Sequence, residues 1–267
     1  DFAYYYAQNG LTLFTQSNTL PSVTGEKNTL ELRGRGVFLC ISPWNFPLAI
    51  FSGQLCAALM AGNTVIAKPA ARSTLIARFA VDLLYQAGLP KKALYFTPGR
   101  GSQICPALCT HTKISGVAFT GSTETAQNIS QALTQRTHGI IPFIAETGGQ
   151  NVMIIDSSAL PEQVVKDVIQ SAFYTAGQRC SALRVLYLQE ETANSIISLL
   201  KGAMAELSIG DPAKIDSDIG PVISTDAKDK LKQHIKEMKK HHKLLFACKL
   251  RPEVNSTNLV APHVFEI

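Results

Sequence analysis

A chain of 267 residues with 46% hydrophobic and 17% charged residues has the size and apolar content of one large or two ordinary globular domains. Its net charge of +5 is mild, and the lysine surplus between Lys228 and Lys249 has almost no aromatic interleaving, which argues against nucleic-acid binding. Six irregularly spaced cysteines read as reduced thiols of a cytoplasmic protein and not as a disulfide framework, and no apolar run is long enough to span a bilayer.

The first residues, Asp1-Phe2-Ala3-Tyr4, read as the middle of a helix without an initiator Met, so the chain is expected to be a piece of a longer one. Strand-length apolar runs then alternate with helical-period segments. A strand at 36–42 leads to a helix at 48–60 closed by Gly62-Asn63, and a strand at 64–68 to a helix that Ser73 caps and that runs to Gln86. Gly88 and Pro90 stop it. Strands at 93–97 and 115–120 and helices at 103–110 and 123–135 continue the rhythm, which predicts a parallel sheet covered on both faces. Strands at 140–145 and 151–155, a helix at 161–175, a strand at 184–189 and a helix at 192–207 form a second α/β layer. The Lys-rich stretch 228–249 reads as the solvated face of a helix, and 259–267 as a strand. The paired glycines of Glu146-Thr147-Gly148-Gly149 place the boundary there, giving domains of 1–145, with a helical lead-in, and 146–267, the second unfinished.

Several residues have chemical uses beside plainer ones. Cys180, in Ala176-Gly177-Gln178-Arg179-Cys180-Ser181, is a candidate nucleophile or a buried structural thiol; ionising a thiol needs a cation, a helix terminus or a base. Glu146, ending an apolar strand beside glycines, is a general base or a capping carboxylate. Asn45 in Pro43-Trp44-Asn45-Phe46-Pro47 donates to an oxyanion or makes a local loop hydrogen bond. The turn Phe119-Thr120-Gly121-Ser122-Thr123-Glu124 seats a phosphate or is an ordinary helix cap. Gly99-Arg100-Gly101 lacks the third glycine of a dinucleotide fingerprint and reads as a turn, and Lys68 is a ribose or phosphate contact or a surface lysine. Cys105 and Cys109 lack a second Cys/His pair, and His234, His241 and His242 lack partners at metal-site spacing, so no metal site is expected.

Taken in order, these motifs resemble the aldehyde dehydrogenase superfamily over nearly the whole chain, and 149–186 most resembles the aldehyde dehydrogenase module of bifunctional bacterial proline utilization A. The resemblance implies a Rossmann-like cofactor domain followed by part of a catalytic domain, and NAD-dependent oxidation of glutamate γ-semialdehyde, in equilibrium with pyrroline-5-carboxylate, to glutamate. It assigns Cys180 as nucleophile, Glu146 as the base that activates water, and Asn45 as oxyanion donor. It assigns Ile41, Ser42, Pro43, Trp44, Lys68, Gly101, Phe119, Thr120, Gly121, Ser122 and Gly148 to the cofactor, and Ser181 and Phe46 to the substrate. It further implies a proline dehydrogenase domain with FAD elsewhere in the parent chain, a homo-oligomeric parent, and a cytoplasmic location with peripheral attachment at the inner membrane.

The pattern departs from the family at Ala71, where a glutamate three residues after the lysine is usual; its absence admits NADP as well as NAD. The downstream Glu-Ile-Phe-Gly-Pro type motif, the substrate-anchoring loop and the oligomerisation flap are expected beyond Ile267, so the piece alone is expected to be inactive. Two other readings stand beside this one: a cysteine acyl-transfer or thioester-hydrolysing enzyme, and a cofactor-binding or structural piece without turnover.

Overall fold

The structure, a computed structural model, describes residues 1–15, 18–250 and 258–267. It forms two compact units, Asp1–Gly148 and Gly149–Ile267. The first opens with α1 (Phe2–Thr15) and an antiparallel pair, β1 (Asn18–Leu20) and β2 (Asn28–Leu30), which the hydrophobic pattern did not announce. There follow β3 (Val37–Ile41), α2 (Ala49–Met60), β4 (Thr64–Lys68), α3 (Thr74–Gln86), β5 (Leu94–Phe96), α4 (Gly101–Cys109), β6 (Ile114–Thr120), α5 (Thr123–Thr134) and β7 (Phe143–Glu146).

Strands β3 to β7 form one parallel sheet in the order β5-β4-β3-β6-β7. Successive side chains on a strand point to opposite faces, and both faces here are covered. Cys40, Val65, Ala67 and Leu94 pack with Phe51 and Leu55 of α2 and Ala77 and Val81 of α3. Leu39, Ile41, Val117 and Phe119 pack on the other face with Cys105 and Cys109 of α4 and Ala126 and Ile129 of α5. Helix α1 lies on α2 through the buried Gly10, where an added Cβ would come 2.3 Å from the Met60 side chain.

In the second unit β8 (Asn151–Ile155) and β9 (Leu183–Leu188) run parallel, joined through α6 (Pro161–Ala172). Helix α7 (Glu190–Ala205) packs with α6 over a core that includes Ile155, Val165, Val168, Leu183, Ile196, Leu200 and Met204. Helix α8 (Thr225–His241) has no buried residue, and β10 (Lys243–Ala247) pairs antiparallel with β11 (His263–Glu266). No described helix is long and apolar enough to cross a membrane.

Local expectations needed four corrections. Ser73 stands at the cap position of α3, but its hydroxyl donates to the Ala70 carbonyl at 3.2 Å through a short 3-10 turn and caps nothing. The strand expected at 140–145 begins only at Phe143, after Pro142, which has no N–H to give to a ladder. The helix expected to reach 175 stops at Ala172, because Thr175 (φ 59°) and Ala176 (φ 55°) are left-handed. The lysine-rich helix stops at His241, and residues 243–247 pair as a strand.

Candidate active site

In this sheet the chain leaves β3 toward β4 and β5 and later returns to the other side with β6 and β7, so the order switches between β3 and β6. Such a switch opens a crevice outside the carboxyl ends of the strands, where open α/β sheets bind ligands. Sequence candidates of the first unit lie at this edge. Ile41 is in register with Lys68 on one side and Phe119 on the other, and Thr120 with Glu146. The Ser42 N–H donates to the Lys68 carbonyl at 3.2 Å, and the half-buried loop Pro43-Trp44-Asn45-Phe46 follows it into α2.

Lys68 is not a surface lysine: it is 5% exposed, and its Nζ donates to the Pro69 carbonyl at 2.8 Å. Burial lowers its pKa, and the nearby Cys105 opposes this. Gly101, the first residue of α4, leaves the space beside it open. A Cβ there would lie 3.5 Å from Lys68 Cε and 3.9 Å from both Lys68 Nζ and Cys105 Sγ. Cys105 and Cys109 are buried, and burial pushes the Cys109 thiol up to about 12, so both are packing groups.

At the β6 turn a Cβ on Gly121 would meet the buried Phe119 ring at 2.5 Å, so any other residue would have to displace that ring. Ser122 caps α5, accepting from the Thr125 N–H at 3.2 Å and donating to the Thr125 hydroxyl at 2.9 Å. The Thr123 and Glu124 N–H groups and the dipole of α5 remain for an anion. Gln54 of α2 was missed: its Nε2 donates to the Ile41 carbonyl at 3.3 Å and to Thr120 Oγ1 at 3.1 Å, joining the two strands at the switch point. Ser42 Oγ and Gln54 Oε1 are buried there without a protein partner. Gly148 is exposed, past the end of β7.

In the second unit, Cys180 is exposed, so the structural-thiol reading fails; Ser181 beside it is exposed too. The turn is held by side chains. Three consecutive left-handed residues, Thr175, Ala176 and Gly177 (φ 65°), reverse the chain after α6, an arrangement costly for the two non-glycine residues. A Cβ on Gly177 would come 2.8 Å from the Ala172 carbonyl. The Arg184 guanidinium donates to the Gly177 carbonyl at 2.8 Å, and Gln178 Oε1 accepts from the Ile223 N–H at 2.8 Å. The Arg179 guanidinium turns to α6: its Nη2 donates to the Gln170 and Ser171 carbonyls at the end of that helix. Asn151, also missed, donates from Nδ2 to the Cys180 carbonyl at 2.6 Å and the Ala182 carbonyl at 2.9 Å.

The Aldehyde dehydrogenase family profile matches residues 1–267. The chain belongs to the aldehyde dehydrogenase family. It is 44% identical to the bifunctional protein PutA of Escherichia coli (strain K12), over 100% of this chain and 20% of that protein. A crystal structure of a Bradyrhizobium japonicum proline utilization A (PutA) mutant matches it with a TM-score of 0.94 and 53% identity, covering 99% of this chain and 27% of that one. A 1-pyrroline-5-carboxylate dehydrogenase from Thermus with bound NAD matches with a TM-score of 0.92 and 30% identity, covering 99% of this chain and 51% of the other. The chain thus spans about a fifth to a half of these relatives' length.

An aldehyde dehydrogenase of this family uses NAD or NADP, and the β3–β6 edge fits such a group. A buried ammonium, a buried hydroxyl without a protein partner and, beside Lys68, a glycine that leaves the Cβ space open lie along one sheet edge. Among the described residues no cluster of three or more His, Cys, Asp or Glu could hold a metal.

Proposed function

We propose that this chain carries the cofactor-binding and nucleophile-bearing part of an NAD-dependent dehydrogenase that oxidises glutamate γ-semialdehyde, in equilibrium with pyrroline-5-carboxylate, to glutamate. The observation that carries the reading is the exposed Cys180, on a turn pinned by Asn151, Gln178 and Arg184, in a chain whose other unit has a dinucleotide-type switch point. The relatives named for pyrroline-5-carboxylate dehydrogenase support the substrate.

In this reading Cys180, as thiolate, attacks the aldehyde carbon and forms a thiohemiacetal. The Asn45 amide and the Cys180 N–H, which has no protein acceptor among the described residues, donate to its oxyanion. Bound NAD supplies the acceptor for the hydride that leaves the carbon. Glu146 takes a proton from the water that hydrolyses the resulting thioester, releasing glutamate and restoring the thiol. Lys68 holds the adenosine ribose; Gly101, Phe119, Thr120, Gly121 and Ser122 flank the adenosine and pyrophosphate; Ile41, Ser42, Pro43, Trp44 and Gly148 line the rest of the cofactor site. Phe46 and Ser181 touch the substrate. A proline dehydrogenase domain with FAD in the parent chain supplies the semialdehyde, and the parent assembles as a homo-oligomer. Six free thiols support a reducing, cytoplasmic setting.

The test is NADH formation from glutamate γ-semialdehyde by the full-length parent protein, compared with its Cys180→Ala variant. Loss of turnover with cofactor binding retained is expected. Turnover surviving in the variant would remove Cys180 from the chemistry.

A further inference from the structure

The start of the β8–β9 pair is irregular. Asn151 is in register with Leu183, but Val152 is in register with Val185, so Arg184 is an extra residue on β9. Bulges of this kind re-aim side chains and gather beside functional sites. Here both strands turn toward the same loop: the extra residue sends its guanidinium back to the Gly177 carbonyl, and Asn151 on β8 reaches the turn around Cys180.

The amide orientation of Asn151 follows from its neighbours. The Cys180 and Ala182 oxygens are carbonyls, which only accept, so the NH2 group must face them, and both its hydrogens are used. The turn between is closed by the Ala182 N–H donating to the Arg179 carbonyl at 3.1 Å, and the Leu183 N–H is taken by Ser171 Oγ at 3.2 Å. Ala182 is fully buried. Asn151 holds the peptide plane that follows Cys180 through the Cys180 carbonyl, and the Ala182 N–H holds the plane that precedes it through the Arg179 carbonyl, so the two planes that meet at the Cys180 Cα, and with them its Cα–Cβ direction, are fixed; the grip on the Ala182 carbonyl keeps that turn closed.

We propose that Asn151 is a positioning residue for the nucleophile, its side-chain amide gripping the Cys180 and Ala182 carbonyls so that the thiol is presented in one orientation. This rests on the reading of Cys180 as nucleophile. Asn151 touches no reacting atom; it acts through the backbone that carries Cys180.

The experiment uses the full-length parent protein with Asn151→Ala and the isosteric Asn151→Asp, which keeps the volume but removes both donors and sets a carboxylate against two carbonyls. Turnover, KM for NAD, and the rate at which iodoacetamide labels each cysteine peptide are measured. Expected is a fall in kcat on the order of 100-fold in both variants. The KM for NAD should stay within about twofold, because the cofactor edge is untouched. Cys180 labelling should change while Cys40, Cys109 and Cys248, which are buried, stay unlabelled as in the parent. Unchanged kcat in Asn151→Asp would overturn the proposal, as would newly labelled buried thiols in that variant, since the residue would then serve folding. A Cys180→Ala control separates the two readings: if it is inactive while Asn151→Asp is fully active, only the positioning role fails, and if it is active, the nucleophile assignment fails first.

Discussion

The Gly121 N–H donates to the Glu146 carbonyl at 3.1 Å, extending the β6–β7 ladder past the last paired residues, Thr120 and Glu146. The backbone of the proposed base is therefore held by the turn proposed to receive the cofactor, while its side chain is exposed. In the full-length parent, Glu146→Gln should keep this ladder and remove only the proton acceptor. A pre-steady-state burst of NADH should survive while steady-state turnover drops roughly 10²- to 10⁴-fold. Loss of the burst together with turnover would give Glu146 another task.

Asn45 follows the buried end of β3, in the half-buried loop. In its proposed role as oxyanion donor it would act in the transition state more than in substrate binding. Asn45→Ala should lower kcat by about 10²- to 10³-fold with little change in KM for NAD. A purely raised KM would identify it as a ground-state contact.

Gly121 leaves no room for a side chain, since a Cβ would press on the Phe119 ring, which is 3% exposed. Gly121→Ala should destabilise the protein by about 1–3 kcal/mol and weaken NAD binding together. Thermal unfolding and NAD titration on one preparation measure both. Wild-type values in the two would show that the turn relaxes at no cost.

Lys68 carries a pH signature. Burial lowers its pKa below the ordinary 10.5, so between the two values the unfolded chain binds the extra proton and stability rises with pH. The penalty for burying the ammonium is full below the folded-state pKa and gone above the unfolded one. Lys68→Met should stabilise the cofactor-free protein at pH 7 by on the order of 1 kcal/mol. That advantage should shrink as pH approaches 10.5, and NAD affinity should fall throughout. Denaturant titrations across pH check the sign; an advantage that grows with pH would contradict it.

Ala71 is exposed on the 3-10 turn just beyond Lys68. A glutamate there would accept from ribose hydroxyls and repel a 2′-phosphate. Ala71→Glu should therefore sharpen the preference for NAD over NADP by about 1–3 kcal/mol, read as the ratio of kcat/KM values. An unchanged ratio would mean that position 71 does not meet the ribose.

The elements of the parallel sheet were legible because each is specified locally. Continuous apolar runs such as Val37–Ile41 suit strands buried on both faces, and Gly62 (φ 78°) and Gly88 (φ 98°) sit at helix ends that need left-handed residues. The order of motifs along the chain was enough to indicate the family. What the sequence could not decide were choices among distant partners. Arg179 is next to Cys180 in the chain, yet its guanidinium goes to the open carbonyls of α6, because a helix end offers several acceptors at once. The strand order β5-β4-β3-β6-β7, which sets Ile41 between Lys68 and Phe119, depends on hydrogen bonds between segments dozens of residues apart. The left-handed path through Thr175 and Ala176 runs against their own preferences, and the turn it makes carries tertiary hydrogen bonds from Gln178 and Arg184. Local propensity and motif spacing indicated most strands and helices of the parallel sheet and the candidate residues, but not β1, β2 or the strand at 243–247. Tertiary hydrogen bonding and packing decided which of those residues are exposed, as Cys180 is, and which are buried or hydrogen-bonded within the fold, as Lys68 and Arg179 are.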